Sequence, residues 1–586
     1  MRRTWVYGAS LVALAAVGAC AGDDAAGTSF TPPASTSETG TGTDPSITTG
    51  ASITETGTAD GGMSTGMVDD STDGGMDTTG DPDTGDSGTT GSMADACDEV
   101  DIPDINGLDE NNDGLDGVLG CSIFVNASTG SDLNDGDTPD VPVATIERGI
   151  EIASTYNPPR PVLVAAGTYN ETVNLDSGVS LYGGYDNATW DRDVFQNPTI
   201  IEGDEFRAVV AINLNEAVEV DGFTIRGQDF MDGSQSTYGV WVRDTPEGLL
   251  TIDYCTIEAG NAGSGADGQN GGDGEDGGGG GNGLSNGTQG AGGVSGCGAV
   301  GGPGGDGGSC PSTNGQTGSA GGDATAVGSG GGAGVSHCGD GCDDTGSNGT
   351  MGLAGSVGVN GLGGQMASDN DGDFGGDGLW VPPQGALSTR GANGGGGGGG
   401  GAGGFDEDAG IFCTFDSGNG IGGGGGGGGA GGCGGIEGGV GEAGGGSFGL
   451  VAFNSSVDVS NTDFVLGAGG NGGDGGDGGD GGLGASPGSG ANGTDNGGEP
   501  GNGAGGGAGG GGGGGGGGSG GCGGSAIGIA EVGSSSVGVA NVSFSGGAAG
   551  SAGSGGVGGL RADGVGLSAP NGANGCAGVV SDERAY

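Results

Sequence analysis

Apolar and polar positions alternate in three stretches that share one layout, and long glycine tracts separate them. They run from Gly239-Val240-Trp241-Val242 to Cys255-Thr256-Ile257, from Gly449-Leu450-Val451-Ala452 to Phe464-Val465-Leu466, and from Gly528-Ile529-Ala530-Glu531 to Val542-Ser543-Phe544. Each opens with glycine and an alternating strand, crosses a short turn, runs a second alternating strand and dissolves into glycine and alanine. Two short strands cannot bury an apolar face alone. Three such units therefore predict rungs stacked on one another, with the glycine tracts thrown outward as insertions.

Upstream of these rungs, short strands are predicted at 123–125, 162–165, 173–175, 179–182, 200–201, 209–212, 218–220 and 223–225. Their spacing suggests about twenty residues per turn of a coil. Between Thr145 and Ser154, Ile146, Ile150, Ile152 and Ala153 fall at helical spacing and predict one helix. A two-sheet sandwich is the rival fold, but hairpin-turn dipeptides are missing between the strands.

Glycine supplies 168 of 586 residues and aromatics only 4%, so apolar material suffices for one ordered domain much shorter than the chain. Residues 20–96 are Ser, Thr, Gly and Asp with scattered Pro, and read as a disordered acidic tether. Roughly seventy-five such residues reach about 45 to 50 Å. In the glycine tracts, Asp474, Asp477 and Asp480 recur every third residue. That period fits bundled polyproline-II-like helices, and a flexible coil is the competing reading. The calcium nonapeptide of RTX proteins is not matched, since Gly482 follows Asp480 where an apolar residue is needed.

Eleven basic residues, all Arg, stand against 75 acidic ones, for a net charge of -64. Nucleic acid is excluded as a partner, because phosphate binding needs a basic footprint. Arg2 and Arg3 precede an apolar run from Trp5 to Val17, too short to span a bilayer and shaped like a secretory leader. The run ends in Val17-Gly18-Ala19-Cys20, which resembles a bacterial lipobox. That resemblance implies a signal peptide over 1–19, lipidation of Cys20, attachment to the membrane and, with Ala21 following, an outer-membrane and surface-exposed destination in the cell envelope.

Eleven further cysteines in an oxidising compartment should pair, leaving at least one over. Cys97–Cys121 and Cys338–Cys342 are the candidate disulfides. Within the acidic segment 97–121, Asp109, Asn111, Asp113 and Asp116 precede or follow a turn glycine in the manner of a calcium loop, although Gly120 stands where a bidentate Glu is expected. Structural calcium is the cofactor expected there. The bland alternative is an acidic linker closed by a disulfide.

Residues Ile123 to Gly227 carry an opening strand, Gly130-Ser131-Asp132, the helix, Ala165-Ala166-Gly167-Thr168-Tyr169, Tyr182-Gly183-Gly184-Tyr185 and Gly222-Phe223-Thr224-Ile225-Arg226-Gly227. This stretch resembles the pectin-lyase-like right-handed parallel β-helix of bacterial surface lipoproteins, and the tracts are similar in composition to PGRS-type glycine-rich segments. The resemblance implies an all-β solenoid with a short N-terminal capping helix over 122–258. Glycine-rich insertions follow at 259–446 and 467–524, rungs at 447–466 and 525–545, and a glycine-rich end at 546–586.

Such folds often cleave or bind acidic polysaccharide, so Asp221, Arg226, Arg243 and Asp244 form a candidate catalytic cluster. Paired charges on a solvated face are the alternative. Asn461-Thr462-Asp463 copies one galacturonan-hydrolase motif, but its companion motifs are missing and the tripeptide reads as a rung turn. The sequence therefore points to a structural or adhesive surface protein that contacts polysaccharide or matrix. A β-helix lyase or hydrolase is the second reading, and a self-assembling or ice-binding glycine-helix protein the third.

Overall fold

The computed structural model describes residue 97 and residues 101–586, apart from 310–312, 323–325, 340–344, 409–418, 495–498 and 564–566. The leader, Cys20, the tether to residue 96, and Cys342 lie outside the described residues. The described chain is nearly all β, with one helix and three large parallel sheets.

Sheet A orders Ile123–Val125, Val162–Ala165, Leu181–Tyr185, Val218–Asp221, Leu250–Asp253, Ser456–Ser460 and Ser536–Ala540. Sheet B orders Gly167–Asn170, Thr199–Glu202, Phe223–Arg226, Thr256–Glu258, Asp463–Ala468 and Ser543–Ala548. Sheet C orders Val173–Leu175, Arg207–Ile212, Thr237–Arg243, Ser447–Phe453, Ala526–Val532 and Val580–Ala585. From Val162 onward the chain visits A, B and C in strict rotation. Each of the three later rungs thus holds three strands rather than the two expected from sequence. The second alternating run breaks where Tyr254, Asn461 and Asn541 take φ of 44°, 45° and 54°. Asn accepts the left-handed conformation more readily than most residues, so a one- or two-residue bend suffices.

Register turns the alternation into a core. Val162, Leu181, Val220, Ile252 and Val459 stack in sheet A, with Val539 at the exposed end of the ladder. Tyr169, Ile201, Ile225, Ile257, Phe464 and Phe544 stack in sheet B. Val173, Val209, Val240, Leu450 and Ile529 stack in sheet C. The helix Ile146–Ala153 closes the first rungs with Ile146, Ile150 and Ala153 buried in the same cluster. Thr145 caps it, and the Glu171 carboxylate accepts the Ile146 and Glu147 N–H groups at 2.9 and 3.0 Å. Sheet C is buried on its outer face as well, because the hairpin Asp373–Phe374/Trp380–Val381 lays Trp380 against Tyr238 and Phe448.

All three glycine tracts leave a sheet-B strand and return to a sheet-C strand. They are ordered by backbone hydrogen bonds with a period of three. Gly265, Gly268, Gly271 and Gly274 donate to the carbonyls of Asn471, Asp474, Asp477 and Asp480. Residues 422–446 are bonded in the same rhythm to 263–284, 391–403, 470–491 and 501–525. A helix so surrounded has no room for side chains on its inward positions. A Cβ on Gly427 would stand 1.9 Å from the Ala291 carbonyl oxygen, and one on Gly438 1.9 Å from that of Gly476. Inside the bundle only small side chains such as Ala402, Ala430, Ala443 and Ser519 and the paired cysteines are accommodated. The longer polar ones reach outward, where Asp267, Asn270 and Asp273 accept the N–H groups of Asp474, Asp477 and Asp480 at 2.8 Å. Asp474, Asp477 and Asp480 in turn accept those of Ser554, Val557 and Leu560.

Cys97–Cys121, Cys297–Cys433 and Cys522–Cys576 are disulfides, the last two stapling the glycine bundle. Cys338 is also disulfide-bonded. Among the described residues Cys255 is the free thiol, buried among the core side chains, and burial pushes it up to about 12.

Candidate functional site

On the outer face of sheet A, the residues between the core-facing Val218, Val220, Leu250 and Ile252 point outward. Register aligns Tyr182 with Asp221 and Asp221 with Asp253. Glu219, two residues before Asp221, shares the face, and ligand oxygens of Glu219, Asp221 and Asp253 lie within 4.8 Å of one another. Each carboxylate has a donor: Tyr182 Oη–H to Glu219 at 2.8 Å, Asn461 Nδ2 to Asp253 at 2.8 Å, and the Arg192 guanidinium to Asp221. One oxygen from each thus lies close enough to the others for the trio to be able to hold a divalent cation.

Arg192 is buried beneath the segment closed by Cys97–Cys121. Its Nε donates to the Gly183 carbonyl at 3.0 Å and its Nη1 to the Asp104 carbonyl at 2.6 Å. Nη1 also lies 3.9 Å from Asp116. Burial pulls its pKa down, but Asp221 and Tyr185 outweigh that and the guanidinium stays charged. Burial raises Asp221 to about 6 and Asp116 to about 7, against the pull of Arg192. Leu115, Phe124, Tyr182, Tyr185 and Trp190 pack around this clamp.

The expected calcium loop is only partly assembled. Asp109 accepts the Asp113 and Gly114 N–H groups at 3.0 and 2.8 Å, and Asn111 accepts Asp113 N–H at 2.8 Å. Asp113 accepts Leu115 and Leu119 N–H at 3.0 and 2.7 Å. Asp116 is instead committed to Arg192 and to the Asp104 N–H at 3.2 Å. Asp101, which no spacing in the sequence flags, stands in its place. It is 5% exposed, no donor meets its oxygens at good hydrogen-bond geometry, the Gly117 N–H lies close enough to pull its pKa down, and the Glu110 carboxyl faces it. Burial first, then Glu110, raises it to about 6.

The candidate catalytic cluster is not brought together. Asp221 lies on sheet A with Arg192, Arg226 on sheet B with Glu258 at 2.5 Å, and Arg243 on sheet C with Asp244 at 3.1 Å. Neighbouring strands of a rung belong to different sheets, so closeness in sequence across a bend separates side chains in space.

Searches of protein-family models, of curated proteins and of solved structures returned no match.

Proposed function

We propose that this chain is a lipid-anchored surface protein of the bacterial cell envelope, joined to the outer membrane through Cys20 and non-enzymatic in role. Its three sheets form a right-handed parallel β-helix, and the glycine tracts make a rigid slab beside it. The function is structural or adhesive: the slab and rungs hold a broad surface toward polysaccharide or matrix. The observation that carries this reading is the backbone-bonded glycine bundle, whose interior admits only small side chains and disulfides and leaves the long polar ones on the outer surface. Such a body offers shape and repeated weak contacts rather than one reaction centre.

Structural calcium belongs to the proposal, held by Asp109, Asn111 and Asp113 with Asp101 and Glu110 beside them. The ion would supply the positive charge that the buried Asp101 lacks. The second reading, a polysaccharide lyase or hydrolase, draws on the trio Glu219, Asp221 and Asp253, whose cation would neutralise a uronate.

The test pairs surface labelling of intact cells with turnover assays of the full chain on acidic and neutral polysaccharides, with and without calcium. Surface labelling lost in Cys20→Ala, with binding but no bond cleavage, is expected. Release of unsaturated products or reducing ends would replace the structural reading with the enzymatic one.

A further inference from the structure

A groove of about 790 Å³ runs across the ends of the sheet-B strands, where the glycine tracts depart. Register stacks Asn170, Glu202, Arg226 and Glu258 along it, one per rung. Rungs repeat every ~4.8 Å, close to the length of one pyranose unit, so the groove offers one polar group per sugar.

Those groups divide into engaged and available ones. Arg226 Nε is held by Glu258, and Asp229 accepts the Asn261 backbone and side-chain N–H groups at 2.7 and 3.0 Å. Among the described residues, no hydrogen bond engages the side chains of Asn170, Glu202 or Gln228, or the Nη groups of Arg226. The groove therefore presents a carboxylate acceptor, guanidinium donors and two amides side by side, an arrangement that matches vicinal hydroxyls. Beside these polar groups the groove is lined by Ala259, Val465, Leu466 and glycines.

Charge selects further. Glu202, Asp204, Asp229 and Glu258 face a single Arg226, so the groove is anionic, as is the whole chain. A uronate polymer would be repelled and an ammonium group attracted. We propose that the groove at the edge of sheet B binds a chain of amino sugars, its hydroxyls between Glu202 and Arg226 and its ammonium groups against the surrounding carboxylates. This deepens the adhesive reading and rests on it.

The experiment measures binding of a glucosamine hexamer to the full chain in detergent, beside a neutral glucose hexamer, an oligogalacturonate and oligolysine. The glucosamine hexamer should bind best, weaken with salt, and lose about tenfold in affinity in Glu202→Gln, the effect of one charge-assisted hydrogen bond. Asn170→Ala, which leaves the charge unchanged, should weaken it less but measurably. Unaltered binding in both variants, equal binding of the glucose hexamer, or tighter binding of oligogalacturonate or oligolysine would overturn the proposal. Attachment of whole cells to polysaccharide that persists in Glu202→Gln would reject the groove while keeping the adhesive role. Loss of attachment in Cys20→Ala alone tests that role separately.

Discussion

Replacing Gly271 by Ala, and separately its neighbour Gly272, distinguishes a hydrogen-bonded lattice from a flexible coil. A Cβ on Gly271 would lie 2.1 Å from the Ile436 carbonyl oxygen, well inside the 3.4 Å at which ordinary contact begins. The obstacle is backbone, so one helix must move by about 1 Å rather than a side chain turning aside. Such a shift breaks or stretches the bonds Gly271 N–H to Asp477, Ile436 N–H to Gly272 and Gly439 N–H to Gln269, at 2.7, 2.9 and 2.7 Å. At about 1 kcal/mol each, the loss is about 3 kcal/mol. Alanine returns roughly 0.4–1 kcal/mol by restricting the unfolded chain, leaving a net cost of about 2 kcal/mol. A Cβ on Gly272 meets only Ile436 Cδ1 at 3.6 Å, so Gly272→Ala should be neutral or stabilise by a few tenths of a kcal/mol. Amide hydrogen exchange over 263–284 and 424–445 reads the difference, with urea unfolding as a second measure. Equal protection in the two variants would refute the lattice, because a coil cannot tell Gly271 from Gly272.

Other consequences follow from single residues. Asn461→Val forces a β-branched residue to a φ of 45° and removes the donor to Asp253, so it should cost about 1–3 kcal/mol, whereas Asn461→Gly costs less; thermal unfolding compares them. Opening Cys522–Cys576 by paired Ser substitution frees a loop of 54 residues and should lower stability by up to about 4 kcal/mol, measured by denaturant unfolding without reductant. Burial raises the Glu171 carboxyl, against the N–H groups of Glu147 and Ile146. A raised pKa means that its contribution is full below the ordinary carboxylate range and falls as pH rises through the folded value. Glu171→Gln should therefore compare more favourably with the native chain at pH 7 than at pH 4. The reverse order would show that the helix terminus favours the charge more than burial opposes it. Asp101→Asn should abolish any rise in melting temperature on adding calcium, while an unchanged rise would remove Asp101 from the ligand set.

Much of the parallel-sheet stacking was legible because alternation with period two survives in residues such as Val240/Val242, Leu450/Ala452 and Ile527/Ile529. Their register ladders are those that the repeated layout implies. In the three later rungs the third strand was not legible, since the bend at Tyr254, Asn461 and Asn541 needs one residue at positive φ and no Gly-Pro signal. The outer burial of sheet C was equally hidden. Trp380 reaches Tyr238 from 142 positions away, and nothing local marks Tyr238 as covered. At the candidate sites, the alternation of Asp109, Asn111 and Asp113 was visible because local turns build it. Asp101 and Arg192 were not: Asp101 falls outside the alternation of that trio, and tertiary contacts alone place Arg192 beside Asp221. Arg226 and Arg243 were grouped by nearness in the chain, and the rotation of strands through three sheets undid that grouping. The period of three in Asp474, Asp477 and Asp480 was legible, but whether it was folded depended on partners some 80 and 207 residues away.

Those two separations are constant. Thr256 pairs with Asp463 and Asp267 accepts from Asp474 at one offset of 207, while Ser456 pairs with Ser536 and Asp480 accepts from Leu560 at another of 80. Sheet and glycine bundle therefore share a reading frame, with no slip where the strands become helices. A stray single-residue insertion inside a bonded run would rotate every glycine beyond it by a third of a turn and drive outward side chains into the lattice. A whole Gly-Gly-x triplet added to the facing runs would lengthen the slab by one turn, ~9 Å, and leave the rungs untouched. Length variation in such a chain is thus expected to come in threes and in concert, as frameshifts are purged from a coding sequence.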